Sequence, residues 1–132
     1  MRTLQKLPIA VLSLALLALA PGCVVMALAA GVAGVAYVNG DLEAQLNGTP
    51  QKIVQASADA LKEMGVHVLS SDSSGIDGRV LGRTAAEKKI DITVKRESDA
   101  ACKISIRVDT FGDETLSRQI LDKIKARLGG SS

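Results

Sequence analysis

Hydrophobic and polar residues alternate over much of the C-terminal two-thirds of the chain, with the period of two that is typical of half-buried strands. The clearest alternations cover residues 90–95 and 102–109, where Ile, Val and Cys take turns with charged and polar side chains. Shorter patterns predict further strands at 41–47, from Val66 onward and at 79–84. We therefore expect a sheet of four or five strands.

Two helices are predicted from hydrophobic residues at helical spacing. The first begins with Thr49 as N-cap and Pro50 at the first helical position, and it ends at Gly65 as the C′ residue. Asp113 is the predicted N-cap of the second helix. The apolar stripe of this second helix comprises Leu116, Ile120, Leu121, Ile124 and Leu128.

The element order β-α-β-β-β-β-α favours an α+β fold. Short connections late in the chain favour a mostly antiparallel sheet with both helices packed on one face. The Ser-, Asp- and Gly-rich residues 71–78 predict a turn-rich connection between two of the strands. We assign this small domain to residues 39–128 and a disordered tail to 129–132.

The N-terminal third has the features of an export signal. Arg2 and Lys6 precede an apolar run from Leu7 to Ala20. These 14 residues have the length of a signal-peptide core rather than the roughly 20 residues of a membrane span. We therefore expect a signal peptide at residues 1–22, an Ala/Gly-rich apolar spacer at 23–38, and a domain exported to the periplasm.

Cys23 is the predicted lipidation site. The segment Leu19-Ala20-Pro21-Gly22-Cys23 is similar to a lipobox, in which a short run of small and apolar residues ends in the cysteine to be diacylated. Gly22 fits this pattern, whereas Pro21 departs from it. Val24 lacks the aspartate that commonly retains lipoproteins in the inner membrane, which favours the outer membrane. The predicted partner of Cys23 is membrane lipid.

An uncleaved membrane anchor is the alternative. The residues that follow Cys23 are also uncharged, so the segment 7–40 is long enough to cross a membrane. Ala27/Gly31 and Ala30/Gly34 have the spacing of small residues that permits close helix association in lipid. In this alternative the segment is retained and the chain self-associates through it.

Charge and composition exclude a nucleic-acid-binding protein. Without residues 1–22 the chain has 14 basic and 14 acidic residues, so it lacks the basic excess that binds phosphates. Its aromatic residues are Tyr37 and Phe111, too few for stacking successive bases. We expect no nucleic-acid partner.

The sequence contains no recognisable catalytic or metal-binding arrangement. His67 is the single histidine, and no serine lies in a nucleophile elbow, so a hydrolase is a remote alternative. Asp72 and Asp77 lack the ligand spacing of a calcium loop. Cys102 lies on the apolar side of its predicted strand and is expected to be a core thiol. We expect no catalytic residue, metal or cofactor.

Thr110-Phe111-Gly112-Asp113-Glu114 is the segment that is specified beyond ordinary folding needs. We expect Phe111 to be buried beneath the start of the second helix and Gly112 to take a positive φ. Glu114 and Arg118 are then left as candidate surface binding residues, spaced to pair on the helix.

Two segments resemble an uncharacterised family of small bacterial lipoproteins, a domain-of-unknown-function family. They are "AAGVAGVAYVNGDLEAQLN" at 29–47 and "IRVDTFGDETLSRQILDKI" at 106–124, the second of which is similar to the family's Thr-Phe-Gly-Asp-Glu signature. The resemblance implies a lipid-anchored envelope protein and supplies no activity. The expected function is therefore a non-enzymatic binding or scaffolding module, with an unidentified envelope protein as partner.

Overall fold

The computed structural model describes residues 34–129, which form one six-stranded antiparallel sheet and two helices. Cys23, the signal peptide and most of the predicted spacer lie outside the described residues, as does the tail from 130 onward. In chain order the elements are β1 (Val35–Val38), β2 (Asp41–Asn47), α1 (Pro50–Glu63), β3 (His67–Ser73), β4 (Asp77–Arg83), β5 (Lys89–Arg96), β6 (Ala101–Val108) and α2 (Glu114–Gly129).

The strands lie in the order β1-β2-β6-β5-β4-β3, and every neighbouring pair is antiparallel. The expected α+β class is confirmed, and the sheet has one strand more than the upper expectation of five. The chain therefore runs β-β-α-β-β-β-β-α over the described residues.

The additional strand is β1, whose residues we had assigned to the spacer. Val35–Val38 pairs with the first half of β2, so the domain begins before residue 39. Four consecutive apolar residues show no alternation with polar ones, which is why the pattern alone did not reveal the strand. The dipeptide Asn39-Gly40, with φ of 53° and 89°, forms the hairpin turn and is the signal that could have predicted it.

The connection between β3 and β4 is shorter than the turn-rich segment 71–78 that the sequence predicts. β3 continues to Ser73 and β4 begins at Asp77, so only residues 74–76 form the connection. The turn is closed by Ser74, whose backbone N–H donates to the Asp77 carbonyl at 2.8 Å and whose Oγ donates to the Asp77 carboxylate at 2.9 Å. Polar turn-forming residues thus lie within strands here, because pairing between β3 and β4 satisfies their backbone.

The core lies between one face of the sheet and the two helices. Alternate residues of the four central strands are buried, and Ile53 and Leu61 of α1 and Ile120 and Ile124 of α2 are fully buried against them. The buried strand residues are Leu42, Ala44, Leu46, Val80, Ile90, Ile92, Val94, Cys102, Ile104, Ile106 and Val108. Leu116 and Leu128 of the predicted α2 stripe are only partly buried at its two ends.

The ends of α1 follow the local sequence. The Thr49 Oγ1 accepts a hydrogen bond from the Lys52 N–H at 3.2 Å, and Pro50 occupies the first helical position. Gly65 has a φ of 78° directly after the C-cap residue Met64, a conformation that a residue with a side chain rarely adopts. These local signals explain why the boundaries of α1 were predictable.

Candidate functional site

Arg107 joins two loops at one end of the sheet, the β1–β2 turn and the β6–α2 loop at residues 109–113. Its Nε donates to Asp41 Oδ1 at 2.7 Å, and its Nη2 donates to the Asn39 carbonyl at 2.7 Å. Its Nη1 donates to the Thr110 carbonyl at 3.0 Å. The hydrogen bond to Asp41 raises the already high pKa of the Arg107 guanidinium, so this donor group stays charged.

Two glycines let the same loops pack backbone against backbone. Gly112 has a φ of 84°, and a Cβ at this position would lie 2.6 Å from the Cα of Gly40 and against the Tyr37 hydroxyl. Gly40 has a φ of 89°, and a Cβ there would lie 3.0 Å from the Phe111 carbonyl oxygen. Side chains are therefore excluded from the contact between the two loops, and glycine is required on both sides.

Phe111 is not buried beneath the start of α2, contrary to our expectation. It is 93% exposed, the largest exposed fraction among the exposed large hydrophobic residues of the described chain. The Arg107 hydrogen bond holds the Thr110 carbonyl on one side of it, and the packing of Gly112 on Gly40 holds the backbone on the other. Because the loops meet through backbone atoms, no apolar space is left between them for a phenyl ring.

Asp113 caps α2 and links it to the β4–β5 loop. Its Oδ1 accepts from the Leu116 N–H at 3.0 Å, and its Oδ2 accepts from Lys88 Nζ at 3.3 Å. The backbone hydrogen bond from Leu116, followed by the bond from Lys88, lowers the pKa of the Asp113 carboxyl. Asp113 is thus a structural carboxylate with both oxygens engaged.

Glu114 and Arg118 lie on the outer side of α2 and are about half exposed. The Arg118 Nε and Nη2 both donate to Glu114 Oε1, at 3.0 and 2.8 Å. The structure brings these two residues together with each other, as an ordinary i,i+4 helix pair. A binding role for them stays a prediction.

The face of the sheet opposite the helices is covered by no other element of the described residues. Its polar side chains are cross-linked by ion pairs between neighbouring strands: Arg79–Asp91, Lys103–Glu43 and Arg107–Asp41. These paired side chains make the surface polar. We call this surface the open face.

Lys95 and Lys103 oppose each other directly on β5 and β6 within the open face. Lys103 Nζ pairs with Glu43 at 3.0 Å, whereas Lys95 has no ion pair among the described residues. On its other side Lys95 opposes Asp77, whose carboxylate accepts instead from the Ser74 Oγ. Like charges at directly opposed positions destabilise a sheet, and here Asp77 opposite Lys95 and the ion pair of Lys103 with Glu43 offset part of this repulsion.

Two shallow cavities extend over this part of the open face. The first, of about 220 Å³, is lined by both lysines, by Glu43 and by the hydroxyls of Thr93 and Ser105. The second, of about 330 Å³, shares Thr93 and Lys95 with the first and is also lined by carboxylates of the β3–β4 hairpin. Both ammonium groups line the first cavity, whereas the second also has Arg79 and the hydroxyls of Ser73 and Ser74. We call the two adjoining cavities together the groove.

The groove is not predictable from the sequence, because it depends on which residues the strand register places side by side. The polar positions of the two strongest strands were visible, but their pairing was not. Residues 95 and 103 become neighbours only when β5 and β6 pair in the observed register.

His67 and Cys102, the other residues whose side chains could take part in a reaction, lie outside the groove. His67 is exposed at the start of β3, opposite Arg83. The Cys102 Sγ donates to the Gly48 carbonyl at 3.3 Å, and burial raises the pKa of this thiol. Among residues 34–129 no group of three or more His, Cys, Asp or Glu side chains is placed to hold a metal ion.

Within the same range, no helix has both the length and the hydropathy that crossing a membrane requires. No curated protein matches the chain significantly. A family model described as "Protein of unknown function (DUF3568)" matches residues 6–127. This match spans the apolar N-terminal segment and the whole folded domain up to the last turn of α2, and on that basis the chain belongs to the DUF3568 family of proteins of unknown function.

Proposed function

We propose that this protein is a membrane-anchored lipoprotein of the bacterial cell envelope that acts as a non-enzymatic binding or scaffolding module. The export signal at residues 1–22 and the lipobox-like sequence before Cys23 support the anchor. In this proposal Cys23 carries the lipid, and the α+β domain lies in the periplasm, at the outer membrane. Residues 24–33 connect the two.

The observation that carries the binding role is the open face with its opposed Lys95 and Lys103. A sheet that only had to fold would gain stability from opposite charges or from hydroxyls at these two positions. An anionic group of an envelope protein, placed between the two ammonium groups, would offset their repulsion and gain charge-assisted hydrogen bonds. The ion pairs around the groove hold its rim in place before a partner binds.

Intact-mass analysis of the membrane-extracted protein tests the anchor. Wild-type protein is expected to start at Cys23 and to carry acyl mass, and a Cys23→Ser variant is expected to lack that mass. A chain that keeps Met1 and carries no lipid in either form would contradict lipidation and would support the uncleaved anchor. In that case the small residues at 27–34 become the site to vary.

Site-specific photo-crosslinking in cells tests the binding role. A photoreactive residue at Thr93, in the middle of the groove, is expected to give a discrete adduct with an envelope protein. The matched control carries the same residue at Gln119, which is exposed on α2. Lys95→Ser should lower the yield of the Thr93 adduct, because it removes one of the two cations. Equal adduct patterns from Thr93 and Gln119 would count against the open face.

Activity assays separate the proposal from the hydrolase alternative. Purified protein is expected not to turn over generic ester, phosphate or peptide substrates. Turnover that is lost in His67→Ala would contradict a non-enzymatic role, since His67 is the only histidine in the chain.

A further inference from the structure

The backbone on both sides of Phe111 is fixed, and its side chain is exposed to solvent. Its backbone is held on one side by the Arg107 hydrogen bond to Thr110 and on the other by the close packing of Gly112 against Gly40. With 93% of its surface exposed, the ring has no apolar neighbour to cover it in the folded domain. Single exposed hydrophobic residues are common, but this one protrudes from a loop in which the backbone is fixed at both neighbouring residues.

Phe111 lies at the corner of the sheet where β1 turns into β2. β1 is an edge strand, and the turn that follows it packs on the Phe111 loop. Val38, the last residue of β1, is 50% exposed at the same corner of the sheet. This corner, with its two exposed apolar side chains, is one four-residue strand away from Val35, the first residue of β1.

The length of chain outside the described residues limits how far this corner can lie from lipid. Ten residues separate Cys23 from Gly34, and a fully extended chain of that length spans at most about 36 Å. With Cys23 acylated, the domain would stay within roughly its own diameter of the bilayer. A tether of this kind creates a high effective concentration, so one inserted side chain suffices to orient the domain.

Most charges around Phe111 are paired. Lys88 is paired with Asp113, Arg107 with Asp41, and Arg118 with Glu114. Asp109 of the same loop is exposed and has no ion pair among the described residues, so the corner carries one unpaired carboxylate, and apolar burial is the driving term. Burying one side chain of this size favours the inserted orientation by a factor of roughly ten to a hundred.

We infer that the Phe111 loop inserts into the interface of the same bilayer that holds the acylated Cys23, and so sets the orientation of the domain on the membrane. This inference rests on the proposed lipid anchor. It assigns the Phe111 corner to lipid and leaves the open face, which no helix of residues 34–129 covers, available to a partner.

The absence of Trp from the chain makes a direct test possible. Full-length lipidated protein with Phe111→Trp is reconstituted into vesicles of phosphatidylethanolamine and phosphatidylglycerol, and its emission is compared with and without lipids brominated near the headgroup. The matched control is Ile76→Trp, because Ile76 is 72% exposed in the β3–β4 turn at the diagonally opposite corner of the sheet. Emission of the Phe111→Trp variant is expected to shift to shorter wavelength and to be quenched by the brominated lipids. Emission of the Ile76→Trp variant is expected to keep the wavelength of a solvent-exposed Trp and not to be quenched.

Vesicle flotation, measured first, separates failure of the anchor from failure of this inference. Protein that does not float would refute the lipid anchor and the inference together. If the protein floats but the brominated lipids quench the Phe111→Trp variant no more than the Ile76→Trp control, the insertion of Phe111 is refuted and the membrane anchor is not. In a third outcome, the Trp at position 111 keeps the emission wavelength of a solvent-exposed Trp on vesicles, and this wavelength shifts only when an envelope protein fraction is added. That result would also overturn the inference and would assign the corner to a protein partner.

Discussion

At the scale of single residues, positive φ angles are concentrated at the Phe111 corner, where the β1–β2 turn meets the β6–α2 loop. Asn39, Gly40, Asp109 and Gly112 all have positive φ within two adjoining loops. Only two of them are glycines, and these are the two that the packing of one loop on the other requires. Asn and Asp tolerate the left-handed region better than other residues with side chains.

Gly112→Ala is expected to destabilise the domain by about 2–4 kcal/mol, because the methyl group would meet the Gly40 backbone at a φ of 84°. Chemical denaturation of wild type and variant measures the change. Gly75→Ala is the control, since a Cβ there has open space and Gly75 does not have positive φ. An equal effect of both substitutions would show that the contact between the loops is not close.

Ser117→Ala is expected to raise the free energy of unfolding by about 0.5–1.5 kcal/mol. The Ser117 Oγ is buried and has no hydrogen-bond partner among the described residues, so removing it removes a desolvation penalty and improves helix propensity. Ser57→Ala provides the comparison, because the Ser57 Oγ is equally buried but donates to the Ile53 carbonyl at 2.7 Å. A loss of stability in Ser117→Ala would indicate that this hydroxyl is satisfied in solution.

At the scale of elements, the helices are fixed at their ends by side-chain contacts. α1 is capped by Thr49, α2 is capped by Asp113, and Glu63 at the end of α1 pairs with Lys123 and Arg127 of α2. The hydrogen bond from Lys123, followed by that from Arg127, lowers the pKa of Glu63. The two helices are thus joined to each other by polar contacts as well as packed on the sheet.

Asp113→Ala is expected to lower the free energy of unfolding by about 1 kcal/mol at pH 7. The folded-state pKa of Asp113 is lowered, so its charge stabilises the fold above the unfolded-state pKa, and this contribution is lost as the pH falls through the folded-state value. The difference between wild type and Asp113→Asn, which keeps a neutral acceptor, should therefore shrink between about pH 5 and pH 2. A pH-independent difference in urea titrations would refute a role for the charge.

Lys95→Thr is expected to stabilise the sheet by about 0.2–1 kcal/mol, because it removes a positive charge that directly opposes Lys103 and adds a β-branched residue. Part of this gain is offset on the other side, because Lys95 also directly opposes Asp77, although the two form no ion pair and the Asp77 carboxylate keeps its hydrogen bond from Ser74. Urea denaturation at low and high salt measures the effect, and the gain should decrease at high salt because salt screens the repulsion.

Lys89→Thr is the control for this substitution on the same strand. The residue directly opposed to Lys89 on β4 is Arg83, which is already paired with Glu87. Arg83 is thus paired as Lys103 is paired with Glu43, so Lys89→Thr measures what removing another β5 cation opposite a paired cation contributes, and a gain of similar size is expected. A Lys95→Thr variant less stable than wild type at low salt would show that the two lysines do not repel each other in the folded sheet.

At the scale of the whole molecule, one face of the sheet makes the core and the other is left polar. Both described helices lie on the apolar face, so no element of residues 34–129 covers the open face of the four central strands. The Phe111 corner and the groove beside Lys95 are therefore separate surfaces of one small domain.

Cys102 reports on opening of this whole core. It is fully buried on the central strand β6, and its raised pKa disfavours the reactive thiolate. A thiol reagent is expected to label Cys102 of the lipidated protein only after unfolding in denaturant, as followed by mass spectrometry. Rapid labelling in native buffer would show that β6 opens without global unfolding.

Local signals were sufficient for the α+β class, for the strands and helices with regular periodicity, and for the caps at Thr49 and Asp113. Alternation and capping act between residues close in sequence, which is why they can be recognised there. One local signal, the Asn39-Gly40 turn, also indicates the β1–β2 hairpin. The exposure of Phe111 and the Lys95–Lys103 pair were decided only by tertiary structure. They depend on the packing of Gly112 on Gly40 and on the pairing of β5 with β6, and these contacts are set by backbone packing and register rather than by a local pattern.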